Sequence, residues 1–480
     1  NWPNFTAKEM DTQKRQISKG ALINLLGIGI GVILNIWLLP KLFSTGELGV
    51  YRWIERTTIL LANILLFGNH RAYTKFHADE SVGGDFKQTI FSKNTALILG
   101  SGALMALCGP LLAPIFHLET YTWLLPVLGF TVAGNMALLS ATSVSATTKR
   151  IAVPLFLKNI GLRSVMLVGG LIVLWSSFGF IHWMLFFGLG TLALGFGGLY
   201  YAWKRVGVQF HLKNTITAFP AVVRTFMRYS VMTTVVTFGL STIDIQMLSL
   251  LTDYSSVGIY GIAFFMGSVI DGIKRPINQM LAPQFAKAWN TNNTTMLSKL
   301  YKKTATIQVL VNVLMVIMIL SNIDWIFSLI PNSERFNAAI PVVGWVLLAR
   351  FIDSSFGSNG EIIGNSPYFR FNFYFSTILI SLVIALNLYF IPTYGIVGVA
   401  YSGVISMFLF NAMKAVLIYR KSGMLPFSAT YVKIIVVGAL VFGATMYLPV
   451  EGFLGAVIRG VFVLAVLAVN RKFIISTVQN

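Results

Sequence analysis

Cysteine is almost absent: Cys108 is the only one in 480 residues. A lone thiol makes no intrachain disulfide and no cysteine-rich metal site. Histidine is sparse too, and His70, His77, His117, His182 and His211 lie in different segments, so no His–carboxylate cluster emerges. Charge is equally scarce. Charged residues make up 11% of the chain and hydrophobic ones 56%, with a mean hydropathy of +0.74, values no soluble domain of this length carries. No nucleotide-binding loop and no paired catalytic acids appear. Gly27, Gly29 and Gly31 follow no strand, so they read as a close helix-packing face rather than a dinucleotide fingerprint.

What the chain does have is apolar runs of membrane-crossing length. A hydrocarbon core needs about 20 apolar residues per helix, and we count about fourteen such stretches. They cover 17–39, 48–68, 92–116, 121–143, 157–177, 181–202, 228–251, 255–284, 304–330, 337–360, 372–391, 395–419, 432–449 and 452–470. Long continuous runs are unlike the short alternating segments of an outer-membrane barrel. The expected fold class is therefore an all-α integral membrane protein.

The formal charge of +20 orients this protein rather than binding nucleic acid, because its cations sit in alternate short loops and form no contiguous basic face. One set of loops holds Lys14, Arg15, Arg71, Lys75, Lys149, Arg150, Lys204, Arg205, Lys287, Lys299, Lys302, Lys303, Arg420, Lys421, Arg471 and Lys472. The opposite set holds only Lys41 and Arg335. Cytoplasmic N and C termini follow, and the basic loops suit anionic membrane lipid. The polar start from Asn1 to Lys19 lacks the pattern of a secretory signal.

Charges inside the spans are few and grouped. Arg52, Glu55 and Arg56 share a helix face that continues to Asn63, and Asp271, Lys274, Arg275 and Asn278 share another. Arg163 and Arg350 lie within further spans. A cation near the bilayer centre costs about 2.5–3.5 kcal/mol on lenient scales, so such residues face a bundle interior or a wet cavity. We take Arg52, Arg56, Arg163, Lys274, Arg275 and Arg350 as candidate anion-binding residues, with Glu55, Asn63, Asp271 and Asn278 in support. Gly272 precedes and Pro276 follows the cationic pair Lys274–Arg275, and the two mark a hinge. Lys158, Lys414 and Arg420 read as snorkelling anchors, Arg459 as lipid-facing, and Trp53 as a sugar-stacking candidate beside Arg52.

A weak repeat joins the halves. Gly46-Glu47-Leu48-Gly49-Val50-Tyr51 opens one span and Ser255-Ser256-Val257-Gly258-Ile259-Tyr260 another six spans later, and Phe76 and Phe285 then fall in the same register. An even separation makes this a parallel six-plus-six repeat. The expected division is an N-lobe at 1–206, a cytoplasmic linker at 207–227, a C-lobe at 228–422 and an extra helix pair at 423–480.

Ser18-Lys19-Gly20 through Leu38-Leu39-Pro40, then Gly46 to Tyr51, Ser241-Thr242-Ile243-Asp244, Val257 to Tyr260, and Asn387 through Pro392 to Ala400 resemble, in order and spacing, the polysaccharide transporter (Wzx-type) branch of the multidrug/oligosaccharidyl-lipid/polysaccharide (MOP) exporter superfamily. The resemblance implies a flippase in the bacterial inner membrane. It would carry polyprenyl-diphosphate-linked oligosaccharide, an O-antigen or other cell-surface repeat unit, outward by alternating access through a cationic central cavity. No cofactor is implied beyond Na⁺ or H⁺ as coupling ion, for which Asp244, Asn387 and Ser402 are the candidates and Asp353, three residues from Arg350, the alternative. Glycosyltransferases or a polysaccharide polymerase are the implied partners. A multidrug exporter of the same superfamily is the competing reading. A membrane-bound polymerase or ligase is a weaker one, since such enzymes usually use a large extracytoplasmic loop that this sequence does not predict.

Overall fold

The computed structural model describes residues 26–77, 85–112, 124–147, 152–207, 210–216, 218–448 and 450–469, with residues 23, 79 and 114. Among these the chain is helical and forms no strand. In chain order the helices are α1 (Leu26–Leu42), α2 (Thr45–Leu65), α3 (Asn69–Phe76), α4 (Phe86–Leu112), α5 (Leu125–Thr147), α6 (Ala152–Trp175), α7 (Phe180–Val206), α8 (Leu212–Ile216) and α9 (Ala221–Leu251). They continue with α10 (Tyr254–Asn290), α11 (Thr294–Leu320), α12 (Ile323–Ser328), α13 (Ala339–Ser355), α14 (Asn359–Gly364), α15 (Arg370–Ser422), α16 (Ala429–Met446) and α17 (Gly452–Val469). Helix falls within every predicted span. Six of the described helices, α5, α6, α7, α11, α15 and α16, are each long and apolar enough to cross a membrane. Lys14, Arg15, Lys149, Arg150, Arg471 and Lys472 of the charge pattern lie outside the described residues.

Local sequence explains where helices start and turn. Ser44 and Glu47 close a capping box on α2: the Glu47 amide donates to Ser44 Oγ at 3.3 Å, and the Ser44 amide to Glu47 Oε2 at 2.8 Å. The single long helix α15 folds into two arms at Gly395, whose φ of 56° and ψ of −133° suit only glycine. Ser402 on the second arm then donates to the Val383 carbonyl on the first, at 3.4 Å. The two predicted spans at 372–391 and 395–419 are these arms.

The chain forms two compact units, Asn1–Ser255 and Ser256–Asn480. In the first, α9 packs on α2 and α3, and Gln246 donates to Thr57 at 2.7 Å; Tyr254, the first residue of α10 and still in this unit, also meets α2, a Cβ on Gly49 standing 1.7 Å from its carbonyl oxygen. The segment 228–251, grouped from sequence with the second lobe, thus packs inside the first unit. In the second unit α16 and α17 pack on α11. The paired positions of the repeat are buried in their own units, Tyr51 and Phe76 in one and Tyr260 and Phe285 in the other.

Candidate functional site

The first unit builds a cationic cluster from α1, α2 and α6. Asn35, a lone amide in the apolar run of α1, accepts a short hydrogen bond from the Arg52 guanidinium. The same guanidinium meets Glu55 at 3.3 Å and lies over the Tyr51 ring. Glu55 is within electrostatic reach of Arg52, Arg56 and Arg163. Arg52 contacts this carboxylate and Arg56 and Arg163 lie within its field, so among these described side chains guanidinium groups outnumber carboxylate. Arg163 comes from the neighbouring helix and lies across α1, its guanidinium carbon 3.2 Å from where a Cβ on Gly31 would stand. Gly27 likewise admits the Asn159 carbonyl, whereas Gly29 meets nothing, so the packing face read from sequence consists of Gly27 and Gly31.

Both helices that hold this cluster beside α2 depart from regular α geometry there. Ile33–Leu38, which carries Asn35, and Leu157–Gly161, which carries Asn159 just ahead of Arg163, are π-helical. Such wide turns shift the register of side chains and recur at functional sites. Tyr51 anchors the floor, packed edge-on to Trp183 and Phe187 at 5.0 and 5.5 Å.

The second unit holds a polar cluster whose described charges balance. Asp271 meets Arg350 at 3.1 Å, and Lys274 meets Asp353 at 2.5 Å. Asn411 donates to Asp353 at 3.1 Å, and Asn359 donates to Asn411 at 2.8 Å. Asn278 accepts from Ser358 at 2.7 Å and from Gln308 at 2.9 Å. Lys414, buried to 8% exposure, lies 3.7 Å over the Phe410 ring and interacts with both Asp353 and Glu361. Here Lys274, Arg350 and Lys414 are matched by Asp271, Asp353 and Glu361. The excess of positive charge among these described side chains is in the first unit.

Several sequence expectations change. Asp353 does not pair with Arg350 at i−3; the partners are exchanged between helices, because α10 presents an oppositely charged residue to each. Lys414 is no snorkelling anchor, since its ammonium is enclosed within the second unit. Arg459 donates to Asn322 at 3.2 Å and to the Thr445 carbonyl at 3.3 Å, so it ties helices together rather than facing lipid. Trp53 is buried and packs edge-on to Tyr254 at 6.4 Å, which leaves it no face for a sugar. Asn63 donates to the Ile59 carbonyl of its own helix at 2.8 Å. Asp244 is half-buried in the first unit, while Asn387 and Ser402 are fully buried in the second. Helix α10 remains helical through Gly272, Arg275 and Pro276, whose side chains lie outside the described residues.

The architecture has known counterparts. Over 95% of this chain and 99% of the other, it superposes on the lipid II flippase MurJ in an inward closed conformation, with a TM-score of 0.77 and 14% identity. The fold is that of the MOP-superfamily transporters. An inward-facing multidrug resistance MATE transporter of that superfamily matches with a TM-score of 0.60 and 12% identity over 84% of this chain and 94% of its own. A further MOP-fold transporter, from Pyrococcus furiosus and described by a reversed polarity of its binding pocket, matches at 0.53 with 13% identity over 90% and 96%. No family model and no curated protein sequence matches the chain.

Proposed function

We propose that this protein is a flippase of the bacterial inner membrane that moves polyprenyl-diphosphate-linked oligosaccharide to the outer leaflet by alternating access. The observation that carries the reading is the first-unit cluster, in which Arg52, Arg56 and Arg163 gather around the Glu55 carboxylate. An excess of guanidinium over carboxylate within apolar helices calls for an anionic partner, and planar Arg forks suit a diphosphate. An inside-negative potential favours outward movement of that head by about 2.3 kcal/mol per charge per 100 mV. A transporter of cationic drugs would need the opposite balance, and no catalytic role is assigned. Glycosyltransferases and a polymerase are the partners this reading implies.

The test is the sidedness of lipid-linked oligosaccharide in cells with and without the protein. Depletion is expected to leave the oligosaccharide in the cytoplasmic leaflet. Normal sidedness after depletion, in a strain with no second flippase, would move the assignment to drug or small-molecule export, the competing reading.

For coupling we propose Na⁺ or H⁺ acting at Asp244. Asp244→Asn is expected to abolish the ion dependence of translocation. Unchanged ion dependence in that variant would shift the role to Asp353 or remove it.

A further inference from the structure

Helices α10 and α13 meet along a seam whose first three contacts repeat at one offset, 79 residues, and whose fourth, past the end of α13, falls at 80. Gly267 opposes Val346, with a Cβ on Gly267 placed 2.5 Å from Val346 Cγ1. Asp271 then opposes Arg350, Lys274 opposes Asp353, and Asn278 opposes Ser358 just past the end of α13. Residue numbers rise together along both sides, so the helices run parallel. The steps 267, 271, 274 and 278 alternate four and three, the spacing of a heptad seam. A soluble heptad seam would be filled by apolar residues, and here its middle two layers are ion pairs.

The pattern carries a second, equally complete pairing. Asp271 and Lys274 are three apart on α10, and Arg350 and Asp353 are three apart on α13, a spacing at which opposite charges meet on one helix. Each helix can thus neutralise its own pair when the other is withdrawn. Neither arrangement strands a charge in apolar surroundings, where a bare one is costly. Asp353 also keeps Asn411 and the nearby Lys414 as partners on α15. A static seam needs only the pairs between helices; the alternation of sign along both helices is the additional feature.

We propose that the α10–α13 seam is a charge latch: closed, its ion pairs bridge the two helices, and open, the same four residues pair within each helix, so that the second unit changes shape without exposing a bare charge. The latch is independent of what is carried. It explains why Lys274 and Arg350 are occupied by carboxylates in this state rather than turned to an anion.

The two pairings can be separated by charge exchange. Asp271→Arg with Arg350→Asp preserves the pair between helices but sets a second positive charge beside Lys274 and a second negative charge beside Asp353, which opposes opening. Asp271→Lys with Lys274→Asp preserves pairing within α10 but sets like charges across the seam, which opposes closure. The readout is oxidative crosslinking of Asn278→Cys to Ser358→Cys in membranes, in a Cys108→Ser background. The first exchange is expected to raise the crosslinking rate and the second to lower it, each by about tenfold, within the usual range of coupling between sites. Combining Asp271→Lys, Lys274→Asp, Arg350→Asp and Asp353→Arg restores both pairings; made together with Lys414→Met, so that the exchanged charge at position 353 meets no second cation, it is expected to return the rate of Lys414→Met alone. Equal effects of the two double exchanges would overturn the latch. So would failure of the fourfold exchange to accumulate and crosslink like Lys414→Met alone, and this arm decides the matter even where a double exchange does not fold.

Discussion

Alanine at both Arg52 and Arg56 is expected to reduce translocation of lipid-linked oligosaccharide by about a hundredfold while leaving the protein folded in the membrane. A hydrogen bond to a charged group contributes about 1.5–3 kcal/mol, and two such contacts to a diphosphate account for a loss of that size. The folded state should tolerate the change because the cluster is not arranged for stability. Arg52, Arg56 and Arg163 repel one another around Glu55, and with two of them gone Glu55 still has Arg163 within reach. The cost is the short bond from Arg52 to Asn35 and the stacking on Tyr51. A residue kept for packing would show the reverse pattern, with loss of folded protein and transport falling in step. Arg52→Lys with Arg56→Lys separates charge from shape: a lysine keeps the charge but not the planar fork, so partial activity is expected. Leaflet sidedness together with monodispersity in detergent measures both quantities, and full translocation by a normally inserted double alanine variant would remove the cluster from the substrate path.

That cluster was half legible in the sequence. Arg52, Glu55 and Arg56 stand out because charge in an apolar helix is costly unless a partner or water receives it, and their spacing puts them on one face. Asn35 does not, since one amide in a run of leucine, isoleucine and glycine carries no pattern, and only the fold shows that it receives Arg52. The helices themselves were the most readable part: helix falls within each predicted apolar run, and the break read between 391 and 395 falls where Gly395 folds α15 into two arms. Membership of the compact units was less so. The polar stretch near 207–227 reads as a boundary, yet the bond from Gln246 to Thr57 ties α9 to α2, and nothing local to α9 signals it.

The second unit shows the same limit from the other side. Sequence proximity suggested that Arg350 neutralises Asp353, an i,i+3 pair, and that Lys414 reaches toward the cytoplasm. Both inferences use only the residue's own helix. The actual partners are dozens of residues away: Lys274 is 79 positions from Asp353, and Asn411 is 58. Long-range pairs of this kind leave no trace in one chain, because each member looks complete with a local neighbour. The same ambiguity gives the α10–α13 seam its two pairings.

Removing Lys274 alone is expected to destabilise the second unit strongly, whereas removing it together with Asp353 is expected to cost little. Breaking a buried ion pair from one side strands the remaining charge and costs about 3–5 kcal/mol, while replacing both partners with apolar residues is often neutral or stabilising. The Lys274 and Asp353 side chains keep 16% and 21% of their exposure, which places the expected penalty for Lys274→Met near the lower end, about 3 kcal/mol. Asp353 would then retain the Asn411 amide at 3.1 Å and the field of Lys414, enough to hold it but not to replace the ammonium at 2.5 Å. Asp353→Leu alone should be comparably damaging, because Lys274 loses its partner across the seam and Lys414 loses one of its two nearby carboxylates and keeps Glu361. In Lys274→Met with Asp353→Leu the stranded charge is gone, and thermal unfolding in detergent should return most of the way to the parent. The difference between the double variant and the sum of the singles measures the coupling directly. Additive losses would mean that Lys274 and Asp353 are stabilised separately by their surroundings, and the pair would then have no claim to hold α10 against α13.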